Sequence, residues 1–358
     1  MTVQAELVVA TDHFDADLAT LTDELGFRIE LIRPADAPRL ALLSGHGLTL
    51  RLERAGRSRP VTIDLVTDVP GRAPIQLPGG TTFGTRSATR TVVVPDNRPE
   101  LLVVRAVDAS AGSDGRAGMH YRDLLPGGWG GRFESSLISI PDGGPVADYV
   151  HFHRIRFQMI TVKSGWVRVV YEDQGEPFVM QAGDCVLQPP EIRHRVLEAS
   201  PGLEVVEIGC PAEHDTIADW SLDLPTSEVR PERSFGGQRF LRHVAAESSY
   251  GPWRQPGWEA RDTGIGAATE GLAGALQARP LVEDETGSDP WMEADTEFAQ
   301  LVVLAGSVVF EADGEPPVRL ADGDAVAVPG GVRHRLRSPT EDCVLLDVTL
   351  PAVPHGRR

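Results

Sequence analysis

Two stretches of this 358-residue chain repeat each other. FQMITVKSGWVRVVYEDQGEPFVMQAGDCVLQPPEIRHRV, from Phe157, and FAQLVVLAGSVVFEADGEPPVRLADGDAVAVPGGVRHRL, from Phe298, line up with only short internal gaps. Gly165, Gly183, Pro189 and His194 of the first match Gly306, Gly323, Pro329 and His334 of the second. A repeat of this kind means one structural unit used twice. Each copy is a run of short Val/Leu/Ile segments between Gly and Pro turn signals, which predicts regularly spaced strands closing into a jelly-roll barrel. With 37 Gly, 28 Pro and aromatic residues at 6 %, the composition agrees with a mainly β chain.

The copies differ where chemistry would lie. Upstream of the first, His151 and His153 stand two residues apart, so a strand points both imidazoles to one face. Gln158 follows on the next segment, and His194 closes the second piece. Buried without a partner these imidazoles would be costly. Three of them converging suit one divalent transition metal with open coordination positions. In the second copy Met292 and Ala294 replace the histidine pair and Ala299 replaces Gln158; His334 alone cannot hold a catalytic metal. That half reads as a structural partner covering the first barrel, with Glu293, Asp295 and Glu297 as a solvated acidic loop.

These residues resemble the two sequence motifs of the cupin superfamily, and the repeat resembles a bicupin. Gly144, His151, His153 and Gly165 fall on the first motif; Gly183, Pro189 and His194 fall on the second. Gln158 stands where the family has a glutamate ligand, Glu191 where it has glycine, and Glu198 where it has asparagine. The resemblance implies a metal held by His151, His153 and His194, with Gln158 either a fourth ligand or a contact to substrate. It favours Fe(II), while Mn, Ni, Cu, Co and Zn are also compatible with imidazole ligands. It further implies an oxidoreductase, most concretely an O2-using dioxygenase acting on a small chelating substrate, anionic ones included. A redox-neutral isomerase or lyase and a non-catalytic ligand-binding or sensing protein are the alternatives. Beside the metal, Gln158 would contact substrate, Glu191 is a candidate base, and Arg156 could bind a substrate anion. Arg132, Arg154, Arg193, Tyr149, Tyr171 and Gln188 are weaker candidates of the same kind. His120 and His214 read as surface loop residues, and His13 as a neighbour of a helix start.

Residues 1–68 read as a βαβββ unit: AELVVA, a helix with Phe14, Leu18, Leu21 and Leu25 on one face, Gly26 as its C-cap, then FRIELI, RLALLS and LTLRLE. With the phrase DELGFRIEL, this resembles one module of the vicinal-oxygen-chelate (glyoxalase-like) fold. Glu6 and Glu53 lie near that family's ligand positions, but no histidine does. Residues 69–118 read as a linker holding a strand pair, RTVVVP with LLVVRAV. The first barrel is expected over 119–215, a Pro-containing connector over 216–260, and the second barrel over 261–358. GIGAATEGLAGALQARP, from Gly264, imitates a dinucleotide-binding turn, but no βαβ unit surrounds it, and it reads as the first strand of the second barrel.

Lys+Arg 34 against Asp+Glu 52 gives a formal charge of −18, the wrong sign for nucleic acid or an anionic membrane. The three cysteines, Cys185, Cys210 and Cys343, sit in apolar runs and read as buried thiols of a reducing compartment. No apolar run reaches membrane-spanning length and no secretory leader pattern is present, so the expectation is a cytoplasmic protein. Homodimerisation is expected by analogy with cupins.

Overall fold

The computed structural model describes residues 4–68, 71, 73–88, 91–108, 112–281, 290–353 and 355–356, and it divides into two compact units, Met1–Thr91 and Val92–Arg358. In the first, the strands Leu7–Thr11, Arg28–Arg33, Leu40–Gly45 and Leu48–Arg54 form one sheet in the order first, fourth, third, second. The first and fourth strands run parallel, because the helix between the first two carries the chain across the sheet. Phe14 and Leu21 of that helical stretch are buried against Leu43, Leu50 and Leu52. Gly26 takes φ +69°, ending the helix. Glu6 and Glu53 flank the Arg51 guanidinium at 3.7 and 3.2 Å, an ion pair rather than a set of metal ligands. Thr62–Thr67, Ile75–Gln76 and Thr82–Ser87 add a small three-stranded sheet to the same unit.

The second unit holds two tandem jelly-roll barrels. Each has a seven-stranded sheet and a smaller one facing it. In the first barrel, Phe157–Ser164, Leu203–Cys210 and Glu134–Ile140 lie side by side in the large sheet, while Trp166–Tyr171, His194–Ala199 and His151–Arg154 neighbour one another in the other. The second barrel repeats this with Phe298–Ala305, Val344–Leu350 and Gly274–Pro280. That last strand is the continuation of the false dinucleotide motif, as expected.

The large sheets are apolar on both sides. Phe157, Met159, Ile208 and Cys210 face out, into a core shared with Phe298, Val302, Leu346 and Val348 of the other barrel. Ile160, Val162, Val205 and Leu203 face inward. Strand pleating therefore gives each large sheet one face for the neighbouring barrel and one for its own interior. Phe133 and Phe298 stack across the joint, ring centroids 4.4 Å apart.

The expected strand pair within 69–118 does not form. Of RTVVVP, Arg90 lies outside the described residues and 91–95 hold no strand, while Leu102–Val104 pairs with Ala325–Ala327 of the second barrel. Leu241–His243, in the expected connector, pairs in the same way with Cys185–Leu187 of the first. Each crossing segment is tied down by the Gly-Asp turn of the barrel it joins: Ala106 N–H donates to Asp324 Oδ1 (2.7 Å) and Ala245 N–H to Asp184 Oδ1 (2.8 Å). A sheet edge takes whichever strand arrives beside it, and sequence proximity does not decide that.

Glu297, expected in a solvated loop, is a clamp between barrels. Its carboxylate accepts from Arg156 Nη1 (2.6 Å) and Nη2 (3.2 Å) and from Arg132 Nη2 (2.7 Å). Burial works to raise its pKa, but the two guanidiniums win and hold it below the usual carboxylate range. A folded-state pKa below the unfolded value stabilises the fold above the unfolded value, and that stability is lost as pH falls through the folded one. Glu297→Gln should therefore cost about 1–3 kcal/mol near neutral pH. The gap to wild type should narrow under acid, measured by urea denaturation at stepped pH; a gap independent of pH contradicts this.

Candidate metal centre and its cavity

His151 and His194 are directly paired across two antiparallel strands, and His153 lies two residues on, so the pleat brings all three rings to the interior of the first barrel. Ring centroids are 4.2 Å apart for His151–His194 and 5.2 Å for each pair with His153. One nitrogen from each ring lies within 4.8 Å of the others. His151 and His194 are buried and His153 is half-buried.

The other ring nitrogens show whether a metal fits. His151 Nδ1 is 2.8 Å from the Tyr149 carbonyl and His194 Nδ1 is 3.0 Å from the Ile192 carbonyl. A carbonyl can only accept, so both rings carry their proton on Nδ1 and the lone pair on Nε2. His153 Nδ1 is 2.9 Å from Thr216 Oγ1 and 3.2 Å from His214 Nε2, and His214 Nδ1 is in turn 3.2 Å from the Pro211 carbonyl. A neutral His214, protonated on Nδ1, accepts the His153 proton and sets the same tautomer there. Burial lowers the pKa of His214, consistent with that neutral form. Three imidazoles, each with Nδ1 held by a fixed partner, are the arrangement a metal needs of its ligands. The residues fit a divalent ion.

Gln158 is buried on the neighbouring sheet. Its Nε2 donates to Glu207 Oε1 at 2.5 Å, and its own Oε1 has no hydrogen-bond partner among the described residues. Gln158 is not among the residues lining the first barrel's cavity, and this buried oxygen is the atom it could offer to an ion.

Two of the expected catalytic residues lie elsewhere. Glu191 sits in a turn with φ +63°, its side chain half exposed and paired with Arg154 Nε at 3.0 Å, so it is no base for this site. Arg156 is committed to Glu297. Arg132 shares that clamp, and Arg193 pairs with Asp219 and lies over the Phe152 ring. None of the four arginines lines the cavity. The fixed charges of barrel strands found partners first.

The histidines line one part of a cavity of about 370 Å³. Much of the rest is apolar: Ile140, Val167, Val169, Met180 and Leu203 among others. Tyr171 stacks on His194 with centroids 5.4 Å apart, and Gln188 also lines the space. Among the polar residues of the wall, Glu134, Glu207, His214 and Thr216 were not legible as site residues. His214, expected on the surface, is nearly buried against His153. Glu134 and Glu207 sit in alternating strands indistinguishable from others. Position two before Ser136, whose strand partner is Glu207, is a signal available only once the register is known.

The second barrel shows what removal of the site looks like. Met292 bridges to His334 as His151 pairs with His194. Asp347, opposite Leu301, holds the position that Glu207 holds opposite Ile160. Arg254 enters beside His334 and Asp347, its Nη2 donating to Asp347 Oδ1 at 2.9 Å, and the space left is about 50 Å³.

The two-barrel fold and the sequence of the second barrel both have counterparts among known proteins. Residues 282–349 match the family model described as a cupin domain. The chain is similar in structure to two variants of the oxalate decarboxylase of Bacillus subtilis. One shows 12 % identity over 74 % of this chain and 79 % of that one, TM-score 0.51; the other shows 14 % over 75 % and 80 %, TM-score 0.51. A further structure of that enzyme, studied for its Mn(II) centres, gives 13 % identity, 74 % and 79 % coverage, and TM-score 0.50. No curated protein sequence matches. Most of the second barrel thus matches the cupin-domain model, and the two-barrel fold is like that of these structures. Among the described residues no helix is long and apolar enough to cross a membrane.

The contacts around His153 give a test. Replacing both of its Nδ1 partners, Thr216→Val with His214→Phe, should weaken Mn(II) binding by about 10–100-fold in calorimetric titration while the fold is kept. Unchanged affinity would mean that His153 is not a ligand.

Proposed function

We propose that the first barrel is the active site of a metal-dependent enzyme acting on a small organic molecule with a chelating polar head and an apolar body. The observation that carries this reading is the placement of the histidine set on the wall of a largely apolar cavity. The proposed ligands are His151, His153 and His194, with Gln158 Oε1 as the fourth. When bound, the ion would supply Lewis acidity and, if it is iron, redox chemistry with O2.

The chain's own residues do the rest. The apolar walls select the body of the substrate: enclosing an aryl-sized group of roughly 150 Å² contributes about 4 kcal/mol, nearly a thousandfold in affinity. A ligand as small as oxalate forgoes that gain, and among the described residues no arginine lines the cavity to replace it. The head is oriented by the histidine end, and the apolar walls limit the water around the reacting atoms.

We place a dioxygenase first, since open coordination beside three neutral imidazoles and dry apolar walls suit O2 chemistry. A redox-neutral isomerase or lyase is the second reading, favoured by the carboxyl group of Glu134 in the wall. Elemental analysis of protein purified without added metal, beside His151→Ala, separates them. Near-stoichiometric iron, lost in the variant, with O2 uptake on apolar diketones or catechols, is the expected result. Manganese or zinc with no O2 uptake would favour the second reading, and no bound metal under metal-replete conditions would sink both.

A further inference from the structure

Glu134 is the one cavity carboxyl with an unanswered atom: its Oε1 is buried and has no hydrogen-bond partner among the described residues. It lies diagonally across the strand pair from Glu207, since Glu134 is opposite Gly209 and Ser136 opposite Glu207. Glu207 already accepts from the Gln158 amide. The nearest cationic candidate, His214, has Nδ1 3.7 Å from Glu134 Oε1 and directs it to the Pro211 carbonyl. On the other flanking strand Asp123 is exposed and accepts from Leu125 N–H, and Arg132 turns to Glu297. Glu134 therefore faces one carboxylate and one neutral imidazole, and among the described residues no cationic side chain pairs with it.

Gly209 makes room for this carboxyl. A Cβ there would stand 2.4 Å from Glu134 Oε1 and 3.1 Å from its Cγ. The clash involves the tip of a flexible side chain, so a larger residue would move the carboxyl rather than break the sheet.

We propose that Glu134 is the general acid of this cavity, giving its proton to an anionic atom of the bound substrate, with Gly209 as its positioning residue. The inference rests on the metal-enzyme reading of the same cavity and names the substrate as one that is anionic at the reacting atom. The step balances without redox change: the O–H bond of Glu134 breaks, a bond from that proton to the substrate forms, and Glu134 is left a carboxylate. Burial first, and the Glu207 charge second, push the Glu134 carboxyl up to about 9, which favours its acid form in the metal-free chain.

The test uses the full chain, metal-free and loaded with Mn(II), with 4-nitrocatechol as a chelating anionic probe. Infrared difference spectra should show a protonated-carboxyl band that is absent from Glu134→Gln and shifts when the probe binds. Affinity for the probe, followed by its visible absorbance, should fall about tenfold or more as alkaline pH ionises Glu134, and Glu134→Gln should lack that fall. Gly209→Ala should keep its Mn(II) and lose the response of the band to the probe. A band unaltered in Glu134→Gln, or indifferent to the probe, overturns the assignment, as do superimposable pH profiles. A wild-type chain that takes up no Mn(II) sinks the metal reading alone. The carboxyl band and its response in the metal-free chain then still decide the role of Glu134.

Discussion

The structure depends on burying both faces of one sheet. In the first barrel the strands Glu134–Ile140, Phe157–Ser164 and Leu203–Cys210 turn alternate residues to the second barrel and to their own interior. Neither face can meet water without exposing an apolar core, so the two barrels form a single body. The same alternation that sends Phe157 and Met159 to the joint sends Gln158 and Ile160 inward. A one-residue slip in register would exchange the two sets and remove the cavity together with the interface.

The two barrels have spent a shared plan differently. One keeps a cavity whose cation would have to come from outside, held by imidazoles whose tautomers are set by carbonyls. The other supplies its own cation: Arg254 enters beside His334 and satisfies Asp347, leaving little open space. A guanidinium cannot leave coordination positions for a substrate. What that barrel contributes is apolar surface, an edge for Leu102–Val104, and the Glu297 carboxylate that holds Arg132 and Arg156.

The site was unevenly legible for a physical reason. A pair of histidines two apart is a period-2 signal, and a third at the Gly-Asp…Pro…His spacing ends a turn of fixed length. Such local patterns survive reading without coordinates. Glu191 and Arg156 looked eligible because they neighbour those patterns along the chain. Their long side chains swing to whichever opposite charge lies in reach, and both found one outside the cavity. His214 and Glu134 had no local pattern. They belong to the cavity only because the strand carrying Glu134, and the one His214 leads into, lie beside the strands that carry Glu207 and His153.

By itself the sequence determined the doubled barrel, the βαβββ order at its start and the face on which three imidazoles gather, since all of these follow from short-range periodicity and turn chemistry. Only the tertiary structure decided which strands cross between barrels, which charges are consumed by ion pairs, and which carboxyls look into the cavity. Those are choices among partners distant in the chain. They are settled by register and by competition for the nearest opposite charge, neither of which leaves a mark on the residues taken one segment at a time.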